Sequence, residues 1–168
     1  MAFLRLHEET AAAWPMGRPA LLIFTEGTIL GPERWWKWFN DKGYVPIGQS
    51  VAKINTWQHQ GAKIAYLTSR KTAADVLAIR VLLTRNGFPG EYLFYRGGGE
   101  RYSDIAEQVI PDILIEDDCR SIGGRWQMTI PAVKDEIKRQ IHSIVVPEFR
   151  GIDALPDDLR KLHTWQAI

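Results

Sequence analysis

The sequence predicts a three-layer α/β sandwich on a mostly parallel sheet of about five strands, and three observations carry that reading. Short apolar runs alternate with helical patterns, which is how crossover helices come to cover both faces of a parallel sheet. The first run, Ala-Leu-Leu-Ile-Phe at 20–24, holds no charge, as a strand buried on both faces requires. The chain has 168 residues, enough for one core and little for a second. A single Rossmann-like domain over 1–168 is expected, with its core in about 20–150 and extensions at 1–19 and 151–168.

The elements follow in order. After 20–24, Gly27 to Pro32 reads as a turn, and Trp35, Trp36, Lys37, Trp38 and Phe39 make an aromatic segment ahead of Gly43 and Pro46. In 49–60, Val51, Ile54 and Trp57 recur every three residues, and Gly61 suits the position just past a helix. Residues 63–67 form the second strand. The clearest helix is 71–86, with Val76, Ile79, Leu82 and Leu83 on one face. A third strand at 91–95, near an edge by its polar flanks, precedes a helix carrying Tyr102, Ile105, Ala106, Val109 and Ile110 at helical spacing. The fourth strand, 111–115, runs into Glu116, Asp117 and Asp118. Thr129 and Pro131 suit a helix start, and the helix is expected to reach about Gln140. A fifth strand at 142–146 and a short helix near 157–163 end the pattern.

Composition narrows the function. Lys plus Arg number 21 against 20 for Asp plus Glu, so neither nucleic acid nor an anionic membrane is an expected partner. Cys119 is the lone cysteine, and 1–20 lacks the apolar centre of a secretion signal, so a reducing cytoplasm is expected. No apolar run approaches the roughly 20 residues that span a bilayer. His7, His59, His142 and His163 show no metal-ligand spacing, the glycines at 97–99 lack the P-loop pattern, and no Gly-x-Ser-x-Gly elbow is present.

In open parallel sheets ligands bind beyond the carboxyl ends of the strands. Thr25, Glu26, Gly27 and Thr28 follow the first strand; Thr68, Ser69 and Arg70 follow the second; Glu116, Asp117, Asp118 and Cys119 follow the fourth. Hydroxyls, an arginine and up to four carboxylates therefore share one edge. Carboxylates in a cluster repel unless a cation or proton lies between them, and all-oxygen ligands suit Mg²⁺. Plainer roles remain open: Thr68 and Ser69 as helix caps, Glu26 as an acceptor within its turn. The tryptophans at 35, 36 and 38 suit core packing, ligand stacking or contact with a second copy.

Three of these strand ends resemble motifs of the haloacid dehalogenase-like superfamily of phosphatases and phosphotransferases. Ile23-Phe24-Thr25-Glu26-Gly27-Thr28 is similar to its first motif, Tyr66-Leu67-Thr68-Ser69-Arg70 to its second, and Ile113-Leu114-Ile115-Glu116-Asp117-Asp118 to its fourth. Arg101 matches the basic third motif best, with Arg96 second. The resemblance implies a minimal cap at about 29–47 and a Mg²⁺-dependent phosphohydrolase or phosphotransferase acting on a small phosphate ester. It places Glu26, Thr68 and Arg101 in the catalytic set, Thr25, Thr28, Thr68, Ser69 and Arg70 around phosphate, and Asp117, Asp118 and Glu116 on the metal. One departure stands out. Aligning Gly27-Thr28 with the family's Gly-Thr puts Phe24 where the nucleophilic Asp belongs. The alternative expectation is a degenerate member that binds a phosphorylated ligand, or a protein partner, without turnover.

Overall fold

A computed structural model of the chain describes residues 5–6, 19–33 and 43–166. Its strands are β1 (Arg5–Leu6), β2 (Ala20–Phe24), β3 (Leu30–Pro32), β4 (Tyr44–Pro46), β5 (Lys63–Leu67), β6 (Tyr92–Phe94), β7 (Ile113–Asp117) and β8 (His142–Val146). Its helices are α1 (Ser50–His59), α2 (Ala73–Arg85), α3 (Tyr102–Val109), α4 (Asp135–Lys138) and α5 (Leu159–Leu162). The main sheet has six strands in the order β1-β6-β5-β2-β7-β8, every neighbouring pair parallel. The five expected strands are all there. The sixth, β1, comes from the N-terminal extension and covers β6, which is therefore interior rather than at the edge.

Strand alternation divides the core into two. Leu21, Ile23, Ile64, Tyr66, Ile113 and Ile115 point to one face, where they meet Ile54 and Trp57 of α1 and Val76, Ile79 and Leu83 of α2. Leu22, Phe24, Ala65, Leu67 and Leu114 point to the other, against Ile105, Ala106 and Val109 of α3. Helices thus cover both faces, and the fold is the three-layer Rossmann-like sandwich that the alternation predicts. The first core also includes the tail: Ile152, Leu155, Leu159 and Leu162 are buried in it. Trp57 Nε1 donates to Pro156 O at 2.9 Å, and Lys53 Nζ donates to Leu155 O at 2.6 Å.

One helix expectation needs correction. No continuous helix runs from Thr129 to Gln140: a 3₁₀ turn at Ile130–Ala132 is separated from α4 by Val133 and Lys134, whose ψ values of 140° and 138° are extended. The Thr129 side chain makes no capping bond there, although Pro131 does occupy the start of the turn. Of the cap expected at 29–47, the described ends form a two-stranded antiparallel ribbon of β3 and β4. Trp35, Trp36 and Trp38 lie outside the described residues.

Among the described residues, no helix is long and apolar enough to cross a membrane.

Candidate functional site at the strand ends

The loops after β2, β5, β7 and β8 enclose a cleft of about 410 Å³. Phe24, Tyr44, Tyr102 and Phe149 form aromatic walls, and Glu26, Asp117 and Glu148 bring carboxylates to it. The loops are knit together by backbone bonds: Thr25 N–H donates to Leu67 O at 2.9 Å, and Phe149 N–H to Gly27 O at 2.7 Å. Cys119 and Phe149 have left-handed φ of 49° and 59°. Non-glycine residues rarely adopt that region, and when they do they are held there by surrounding bonds, often beside a binding site.

Gly27 is required by the same crowding. Its φ is +82°, and a Cβ at this position would stand 2.7 Å from Asp117 Oδ1. The open approach lets the 25–28 turn lie directly on the end of β7. Thr28 Oγ1 donates to Asp117 Oδ1 at 3.0 Å, and Cys119 N–H donates to Asp117 Oδ2 at 3.0 Å. Asp117 is only 3% exposed. Burial holds its carboxyl above the usual range, and the nearby Glu148 carboxylate pushes the same way, against the donors from Cys119 and Thr28.

Phe24 stands at the cleft with its ring edge-on to Tyr102, centroids 5.1 Å apart. Arg96 covers the same tyrosine, its guanidinium carbon 3.9 Å from the ring centroid and its Nε buried without a hydrogen-bond partner. Phe24 is thus part of an aromatic wall of the cleft.

Glu26 is 9% exposed, and donors surround its carboxylate. Thr68 Oγ1 donates to Oε1 at 2.6 Å, where Arg70 Nε also lies at 3.2 Å. Thr25 Oγ1 donates to Oε2 at 2.6 Å and Ser69 N–H to the same oxygen at 3.1 Å. Thr68 and Ser69 are not caps of α2, whose N-terminus is closed by Thr72 accepting from Asp75 N–H at 3.2 Å. Arg70 also lies 5.7 Å over the Tyr44 ring.

The structure separates the expected acids. Glu116 is one residue out of step with Asp117 on β7 and faces the α3 side of the sheet. It is 2% exposed and accepts from Thr129 N–H at 2.6 Å and Ile130 N–H at 3.0 Å. Burial raises its carboxyl even though these amides favour the ionised form. It pins the 129–130 turn and is not at the cleft, which corrects its assignment to a metal set. Glu148, which no motif flagged, takes its place: ligand atoms of Asp117, Asp118 and Glu148 lie within 4.8 Å of one another. Arg101 also needs correction. Its side chain is 68% exposed, pairs with Asp104 at 3.2 Å across the start of α3, and does not line the cleft.

A divalent cation fits the Asp117, Asp118 and Glu148 group by its chemistry. The donors are hard carboxylate oxygens. The burial that raises the Asp117 carboxyl is a cost that a nearby cation would offset. Arg120 Nε pairs with Asp118 at 3.1 Å, but that arginine is 85% exposed and its charge is screened by water. Asp118 also accepts from Glu148 N–H at 3.1 Å, and Glu148 accepts from Ser121 N–H and Oγ, both at 2.7 Å, so the group is held in place. Burial, together with the carboxylates of Asp117 and Glu116, pushes the Cys119 thiol far above the usual range.

No protein-family model matches the chain. No curated protein matches it either. Among solved structures, it resembles the D,D-heptose 1,7-bisphosphate phosphatase of Burkholderia thailandensis at 14% identity and a TM-score of 0.45, over 79% of this chain and 94% of that one. It also resembles a chain of the Pnkp1/Rnl/Hen1 complex at 13% identity and a TM-score of 0.44, covering 77% of this chain and 47% of the other.

Proposed function

We propose that the chain is a haloacid dehalogenase-like domain that binds a divalent cation and a small phosphorylated molecule in the strand-end cleft without cleaving the phosphate ester. The observation that carries this reading is the pair Phe24 and Glu26. The chemistry of that superfamily needs an anionic carboxylate in line with the phosphorus atom. Phe24 offers no lone pair, and Glu26 is bound by donors from Thr25, Thr68 and Ser69 and by Arg70. Those same donors would otherwise bind phosphate, so a phosphorylated ligand would enter on the other side of the cleft. There Asp117, Asp118 and Glu148 would hold Mg²⁺, which would supply positive charge for phosphate oxygens. Tyr44, Tyr102 and Phe149 would contact the organic part of the ligand.

Binding without a nucleophile gives little acceleration, because nothing is stabilised in the transition state that was not already bound. The test is hydrolysis of an aryl phosphate at millimolar Mg²⁺ and neutral pH. Negligible wild-type turnover is expected, and the double variant Phe24→Asp, Glu26→Asp should gain a measurable rate. The shorter Asp at 26 also withdraws the carboxylate from its donors. Brisk wild-type turnover that Glu26→Gln abolishes would overturn the reading and make Glu26 the reacting group.

A further inference from the structure

The ligand shell of Glu26 is more than a turn needs. A carboxylate that stabilises a turn takes one or two backbone amides. This one takes two hydroxyls and an amide as donors, one on Oε1 and two on Oε2, and an ion pair with the Arg70 guanidinium beside Oε1. The donors come from the ends of two different strands, β2 and β5, and converge on one volume at the cleft wall. Hydroxyl, backbone amide and arginine together are how proteins bind free oxyanions. Thr68 is oriented for this by its own contact, since Arg70 N–H donates to Thr68 Oγ1 at 3.2 Å and leaves the hydroxyl proton directed at Glu26.

We propose that Thr25, Thr68, Ser69 and Arg70 form an oxyanion-binding site which the chain fills with its own Glu26 carboxylate, so that an external carboxylate or phosphate binds there only when that side chain is removed. The plug explains how the chain can keep an anion site and yet be closed to phosphate on that side of the cleft. The inference shares Glu26 with the non-hydrolytic reading and rests on its assignment of these donors. It is tested without divalent cation and without turnover, so one can fail while the other stands.

Glu26→Ala opens a space about the size of acetate and leaves Thr68, Ser69 and Arg70 without their shared partner. Thr25 has another acceptor in reach, Leu67 O at 3.2 Å, so its hydroxyl is not stranded. Thermal unfolding is followed with added formate, acetate or inorganic phosphate, against chloride at equal ionic strength and with chelator present. The variant should melt below the wild type, and one of the oxyanions should restore it saturably, by about 3–6 °C at tenfold excess over its dissociation constant. Rescue by formate and acetate alone assigns the site to planar carboxylates; rescue by phosphate assigns it to tetrahedral anions. The wild type and Glu26→Gln, whose side chain still fills the space, should show no such difference between salts. If Glu26→Ala does not fold, refolding yield in oxyanion against chloride is read in its place. Equal behaviour of Glu26→Ala in all salts, in melting or in refolding yield, would overturn the proposal.

Discussion

Thr28→Val isolates one bond at the centre of the cleft. Thr28 is fully buried, and its hydroxyl donates to Asp117 Oδ1 at 3.0 Å. Valine keeps the branched shape and removes the donor. A hydrogen bond to a charged acceptor is worth about 1.5–3 kcal/mol, so at neutral pH the variant should lose that much stability, or about 3–12 °C in Tm for a domain of this size. The sign with pH can be worked out. The Asp117 carboxyl lies above its usual range when folded, so its contribution is favourable in acid and is lost as pH rises through the folded value. The Thr28 bond stabilises the ionised form and limits that loss. Without it the folded value rises further, so the gap between variant and wild type is small in acid and widens as Asp117 ionises. Urea unfolding at pH 4.5 and pH 7.5 measures the gap. A destabilisation that is equal at both pH values would refute this reasoning and reduce Thr28 to a packing residue.

Four other outcomes are expected. Calorimetry with Mg²⁺ should give weak binding to the wild type and less to Asp117→Asn, whereas equal heats would remove Asp117 from the cation site. Gly27→Ala combines a strained φ with a Cβ 2.7 Å from Asp117 Oδ1, so it should cost at least about 1 kcal/mol in chemical unfolding and weaken cation binding with it; a neutral result would show that the turn can move off β7. Cys119 should react with iodoacetamide at pH 8 far more slowly than glutathione does, because its thiol is held protonated, and equal rates would contradict the burial assigned to it. Leu162→Ala should lose about 2–5 kcal/mol in urea unfolding, since its side chain is fully buried, and a loss under about 0.5 kcal/mol would mean that the tail is not part of the core.

β2, β5, β6, β7 and β8 were legible because each is a short apolar run with no competing helical period, whereas β3 and β4 fell in stretches that read as a turn and a loop. α1, α2 and α3 were legible because their buried faces repeat at helical spacing. β1 was not: two residues are too few to carry a pattern, and only pairing with β6 defines it. The segment after Thr129 has helical spacing, yet the backbone amides of Thr129 and Ile130 are tied to Glu116, and Val133 and Lys134 are extended. Long-range anchoring overrode local propensity there.

The site was partly legible for the same kind of reason. The carboxyl-end rule brings together Glu26, Thr28, Thr68, Ser69, Arg70 and Asp117. Strand alternation, carried through the acidic run, separates Glu116 from Asp117, because neighbours on a strand face opposite sides. Applied to β8, the carboxyl-end rule also reaches Glu148, two residues past Val146. The spacing Arg101-x-x-Asp104 is itself a helix-start signal, and it explains why that arginine stays with α3. Nothing in the sequence places Tyr44, Tyr102 and Phe149 around one cleft, since they come from β4, the start of α3 and the loop after β8.

The buried tail bears on when the domain can form during synthesis. The last strand is complete at Val146, but one half of the core stays open until Ile152, Leu155, Leu159 and Leu162 have left the ribosome. Until then Trp57 lacks its acceptor at Pro156. At translation rates of about 5–20 residues per second that interval is short, but every strand and the helices α1 to α4 are made before it closes. Premature stops that spare all the strands would therefore give a sticky, incomplete domain, a natural substrate for chaperones and proteases.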